Sequence, residues 1–185
     1  ACRGPVLSVS LLSRCPIEEI RTLALDEGSR TSVALVQILL REKHGLTPSL
    51  HPLPIGKEAE EARTDAVLVI GDRAIHSGTD GFVEAWDLGD EWYRWSGLPF
   101  VFAMWTARGG LGLDLGPVEE ALQAARDAGV ANLEAISRQQ AGTLGLNQQQ
   151  CLEYLRDNLH FSLGEKEREG LERFRQYAGS GILGL

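Results

Sequence analysis

Between Leu23 and Leu35 the chain reads Leu-Ala-Leu-Asp-Glu-Gly-Ser-Arg-Thr-Ser-Val-Ala-Leu. This is a short apolar run, a tight turn, and the opening of an apolar helix. A strand that feeds directly into a helix is the building unit of an α/β domain, so this stretch constrains the fold more than any other. Its turn carries Gly28, Ser29, Arg30, Thr31 and Ser32. The first N–H groups of a helix have no partner within it and carry the positive end of its dipole. A turn of small and hydroxyl residues at such a place suits a carboxylate or a phosphate. The same residues also suit an ordinary N-cap, with Ser29 or Thr31 satisfying the helix alone. Spacing leaves both readings open.

The remaining pattern extends the α/β reading. Apolar runs bounded by turn residues predict strands at 6–13, 22–25, 50–53, 65–72 and 98–105. The prolines around 50–53 place that strand at an edge. The unbroken run Ala-Val-Leu-Val-Ile before Gly71-Asp72 fits a strand buried on both faces, hence a mostly parallel sheet. Helices are expected at 31–43, ended by Gly45, and at 57–63. A short helix within 86–95 mixes aromatic and acidic residues. Three more helices fill the tail. Pro117 opens the first. Asn147 with Gln150 opens the second, and a Ser162-x-x-Glu165 capping box opens the third. In sheets of this type ligands sit beyond the carboxyl ends of strands, which selects the loops after residues 13, 25 and 70.

Composition narrows the function. A net charge of −8 lacks the basic excess of a nucleic-acid or membrane-surface binder. No apolar run is long enough to span a membrane. The three cysteines, Cys2, Cys15 and Cys151, have neither even number nor metal-ligand spacing, as expected of reduced thiols in a cytoplasmic protein. The four histidines form no ligand motif, so neither a metal nor a cofactor is expected. The glycine-rich loop 109–116 lacks the G-x-G-x-x-G order and a P-loop lysine, and reads as a link. Asp72, at a strand end, is placed either as a catalytic carboxylate or as a helix cap. Gly71 before it would let a ligand approach the backbone. Arg30 could pair with a carboxylate or bridge to Glu27.

Taken together, residues 23–35, Val69-Ile-Gly-Asp-Arg-Ala-Ile75, Asp87-Leu-Gly89 with Trp92, and Gly97-Leu-Pro-Phe-Val-Phe-Ala-Met-Trp105 resemble the chorismate dehydratase family of the futalosine route to menaquinone. Gly4-Pro5-Val6-Leu7-Ser8-Val9 and the helical tail extend the likeness over nearly the whole chain. The resemblance implies a fold like that of type II periplasmic binding proteins, in which two α/β lobes joined by hinge strands close on a ligand. Residues 1–13 would then belong to the first lobe and a hinge strand, 14–97 to the second lobe, and 98–185 to the return hinge strand and helices packing on the first lobe. It also implies an N-terminal segment with a Tyr-Leu-Asn-type motif that is absent here, roughly a third of the expected length.

The implied reaction dehydrates chorismate to 3-[(1-carboxyvinyl)oxy]benzoate. Ser29, Arg30, Thr31 and Ser32 would hold one carboxylate, Ser8 and Gly71 would line the other side, and Asp72 is the candidate base. The missing segment or the substrate's own side-chain carboxylate are the alternatives for that base. A homodimer is left open. The sister enzyme that makes dihydroxynaphthoate is similar at Thr31-Ser32, but it carries a catalytic His where this chain has Gly71. It also has Leu-Pro-Leu-Pro where this chain has Leu98-Pro99-Phe100-Val101. A solute-binding protein for a small carboxylate is the rival of a different class.

Overall fold

A computed structural model describes residues 1–110 and 112–179. Strands β1 (Val9–Ser13), β2 (Thr22–Asp26), β3 (Ser49–Leu53), β4 (Ala66–Ile70) and β5 (Glu84–Asp87) form one sheet in the order β3-β2-β4-β1-β5. β2 runs parallel to β3 and β4, whereas β1 runs antiparallel to β4 and β5. The sheet is therefore mixed rather than mostly parallel. The link from β1 to β2 holds only a 3-10 turn at Ile17–Glu19, too short for the helical crossover that a parallel connection needs.

Register sorts the apolar residues onto two faces. Leu25, Leu68, Leu11 and Trp86 lie side by side across the sheet. They pack under α1 (Arg30–Ile38), α3 (Leu88–Ser96) and α7 (Glu165–Ala178), with Leu35, Ile38, Trp92 and Phe174 in the same core. The alternate residues Ala24, Val67 and Leu12 point to the opposite face. There Leu53, Ala59 and Ala74 of α2 (Asp72–His76) cover them. This is the two-sided burial expected of strand β4, whose residues Ala66 to Val69 are all inaccessible.

Local chemistry accounts for most element ends. Helix α1 runs on through a π turn at Leu39–Lys43 and stops at Gly45, whose φ of +68° few residues but glycine adopt. β3 lies at the sheet edge with Pro52 paired opposite Leu25, as the prolines require. The expected helix at 57–63 is only a 3-10 turn, Ala59–Glu61, closed by the Glu61 carboxylate accepting the Glu58 N–H. In the tail, α4 (Gly116–Ala131) has proline in its first turn. It is followed by α5 (Leu133–Gln140), which the sequence pattern did not separate, and by α6 (Gln148–Glu153). The reciprocal Asn147–Gln150 box of α6 is present. The box expected at Ser162–Glu165 is displaced by two residues: the Glu167 carboxylate accepts the Gly164 N–H at 3.0 Å. Glu167 is 1% exposed and also receives Arg3, so buried charge pairing selects the later start.

Residues 98–105 form no strand. Phe100 exchanges two backbone hydrogen bonds with Cys2, at 3.0 and 3.1 Å, and no ladder continues beyond it among the described residues. An apolar run becomes a strand only where another backbone lies beside it. Where that fails, Trp105 is left 84% exposed. Before this point the segment is well anchored. Trp92, Phe100 and Phe174 meet edge to face, with centroids 5.1 to 6.4 Å apart. Gly170 lets α7 close on the same segment, since a Cβ there would sit 2.1 Å from the Pro99 carbonyl oxygen.

Candidate active site

A cleft of about 390 Å³ opens beyond the ends of β2 and β4, at the start of α1. Its walls include Val6, Ser8 and Val9 on one side, and Gly28, Ser29 and Ser32 on another. Ile70, Gly71, Phe102 and Leu159 also line it, with Ala1 and Ala103. No Asp, Glu, Lys, Arg or His side chain lines this cleft among the described residues. Its polarity comes from three hydroxyls and the N-terminal end of a nine-residue helix.

The helix start is organised by Ser29. Its extended backbone, φ −144° and ψ 109°, places Oγ to accept the Ser32 N–H at 3.1 Å. The same hydroxyl donates to Ser32 Oγ at 2.9 Å. The Ser32 hydroxyl hydrogen is thereby left to donate elsewhere. Gly28 allows the turn to close: a Cβ there would lie 3.1 Å from Asp26 Oδ1 and 3.2 Å from Ile70 Cδ1. Asp26 itself is inaccessible. It accepts the Gly28 N–H at 2.8 Å and an ion pair from Arg73. That pair ties the end of β2 to α2, and Arg73 also donates to the Lys57 carbonyl at 2.5 Å.

The structure brings four of the anticipated residues together: Ser8, Ser29, Ser32 and Gly71 all line the cleft. It does not bring Arg30, Thr31 or Asp72 into that lining. Arg30 is exposed at the first turn of α1, and Thr31 is half-buried in the same turn. Asp72 is exposed as the first residue of α2. Gly71, not Asp72, is the N-cap, at φ +64° and ψ −143°, a conformation essentially restricted to glycine. The Gly71 N–H does not face a ligand, because it donates to the Ser8 carbonyl at 2.8 Å.

Three contributors were not anticipated. Phe102 and Leu159 come from the segments after α3 and α6, and nothing in their local sequence marks them as lining residues. The third is Asp87. Its carboxylate caps α3 through the Asp90 N–H at 3.0 Å and also receives the N–H groups of Val6 and Leu7. An acid before Leu-Gly at a helix start is the legible half of that signal. Beside it, burial first and the Asp87 charge second push the Cys2 thiol up to about 11, so this buried sulfur stays protonated and unreactive.

A family described as menaquinone biosynthesis matches residues 1–180. The chain is also 33% identical over 198 aligned residues to a chorismate dehydratase from Thermus thermophilus. That alignment covers 97% of this chain and 70% of the relative. Both likenesses span nearly the whole chain, and this chain belongs to the menaquinone biosynthesis family.

Proposed function

We propose that this protein is a lyase that dehydrates chorismate to 3-[(1-carboxyvinyl)oxy]benzoate in menaquinone biosynthesis. The chorismate dehydratase likeness over 97% of the chain carries the reading. The cleft supports it, since it offers hydroxyls and a helix N-terminus to an anion and no acidic side chain to repel one. Chorismate bears two carboxylates. The ring carboxylate sits at the α1 start, held by the Ser32 hydroxyl that Ser29 orients, while Ser8 and Gly71 line the other side.

The reaction removes a proton from the carbon bearing the enolpyruvyl ether and hydroxide from its neighbour. The electron pair left by the proton spreads through the ring alkene into the ring carboxylate. Donors aimed at that carboxylate therefore stabilise the transition state more than the ground state. Loss of hydroxide then makes the ring aromatic, which drives the step forward. Asp72 is too exposed to be singled out as the base, so the substrate's side-chain carboxylate takes that role once bound. Phe102 and Leu159 exclude water around it. On this reading the sheet belongs to one of two lobes of a type II periplasmic-binding-protein-like fold. β1 and α7 are parts of that lobe, the residues before β1 and the segment after Phe100 lead toward the other, and the protein works in the cytoplasm.

Ser32→Ala and Thr31→Ala, made separately in the full-length protein, test the anion site. Ser32→Ala should lower turnover on chorismate by about tenfold or more, as expected for a lost donor at a developing charge. Thr31→Ala should stay within about twofold, because Thr31 is outside the cleft. Equal turnover in both variants would overturn the assignment.

A further inference from the structure

We propose that Asp87 is a positioning residue for the dehydration, holding a left-handed corner at Leu7 and thereby setting Ser8 in the cleft. The inference rests on the proposed function for its turnover arm. Leu7 is the one non-glycine residue with a positive φ among those described, at +61°. For a residue with a Cβ this conformation is disfavoured and persists only where the surroundings impose it. Here the surroundings are one carboxylate. Asp87 accepts the Val6 N–H through both oxygens, at 3.0 and 2.9 Å, and the Leu7 N–H at 2.6 Å. The next residue is Ser8, which lines the cleft together with Ser29 and Ser32 and whose hydroxyl donates to the Val6 carbonyl at 3.4 Å. The Ser8 carbonyl receives the Gly71 N–H, so the far side of the corner is pinned as well.

The corner also explains why β1 begins at Val9 and not at Val6. The two N–H groups that a strand would give to a neighbour are spent on Asp87. Asp87 is separately fixed, because it caps α3 and because Gly89 lets that helix start press against Cys2 and Gly4. A Cβ on Gly89 would fall 2.6 Å from Cys2 Sγ and 2.7 Å from the Gly4 carbonyl oxygen. The Asp-Leu-Gly motif thus presents a carboxylate to a strained corner at fixed distance.

The test compares Asp87→Asn with the double variant Asp87→Asn, Leu7→Gly in the full-length protein. Asparagine keeps one oxygen for the Asp90 and Val6 N–H groups but loses the oxygen that accepts the Leu7 N–H. Glycine adopts a positive φ without help. Asp87→Asn should lower kcat on chorismate by about 30-fold with a smaller change in KM, and Leu7→Gly should restore most of it. A purely structural role in capping α3 would not be rescued at residue 7. Turnover unaffected by Asp87→Asn, or a loss that Leu7→Gly leaves unrepaired, would overturn the proposal. If the unmodified protein does not dehydrate chorismate, the function has failed and the positioning claim is read from hydrogen exchange alone. The Leu7 amide should then exchange at least about tenfold faster in Asp87→Asn, and unchanged exchange would overturn it.

Discussion

Asp26 and Asp65 show how single carboxylates hold this fold together. Asp26 is inaccessible and its charge is met by Arg73 and the Gly28 N–H. Removing one partner of a buried pair leaves the other charge uncompensated, a cost of about 3 kcal/mol. Arg73→Met should therefore lower stability by about that amount in urea unfolding, whereas replacing both, Asp26→Leu with Arg73→Met, should cost less. Asp65 accepts the Thr22 hydroxyl and N–H, both at 2.8 Å, and the Arg21 N–H at 3.0 Å. The Thr22 hydroxyl holds its carboxyl below the ordinary range; burial opposes it as the next largest effect, and the Arg21 and Thr22 N–H groups assist it. A carboxyl depressed in the folded state contributes stability that is complete above the ordinary value and is lost as pH falls through the folded value. Asp65→Asn should lower Tm at neutral pH, and its deficit should shrink below about pH 4. A deficit that is constant with pH would contradict this role.

At the scale of elements, glycines decide how closely neighbours approach. Gly170→Ala would place a methyl against the Pro99 carbonyl, a backbone atom that cannot swing aside. Separating α7 from that segment would disturb the Trp92, Phe100 and Phe174 packing, at a cost of about 2 kcal/mol or more. A variant as stable as the unmodified protein in thermal melts would show that α7 docks otherwise. This scale also marks what could be read from sequence. The β2-to-α1 unit, the edge strand β3, the buried strand β4 and the Asn147 cap were legible, because each is set by residues within a few positions of itself. The direction of β1 was not, since antiparallel pairing with β4 depends on a connection length and not on strand composition. Residues 98–105 read as a strand because composition reports burial and not the presence of a pairing backbone. The cleft was half legible. Ser8, Ser29, Ser32 and Gly71 follow from strand ends and a helix start, whereas Phe102 and Leu159 arrive from distant segments. Asp87 acts on residues some eighty positions away, at separations of 80 and 81 along the chain.

The whole molecule is asymmetric. The sheet with α1, α3 and α7 buries nearly all its large apolar side chains. By contrast, α4 buries none of its residues, and Trp105, Leu113 and Val118 are 84%, 68% and 54% exposed. The candidate site lies on the well-packed side, where the carboxyl ends of β2 and β4, the start of α1 and the Leu7 corner converge on one anion-compatible cleft. No helix among the described residues is long and apolar enough to cross a membrane. A reaction at that cleft is checked by incubating the full-length protein with chorismate and following the small molecules by mass and absorbance. An aromatic product lighter than chorismate by one water, formed in proportion to enzyme, is the expected result. Chorismate recovered unchanged from a folded protein would contradict it.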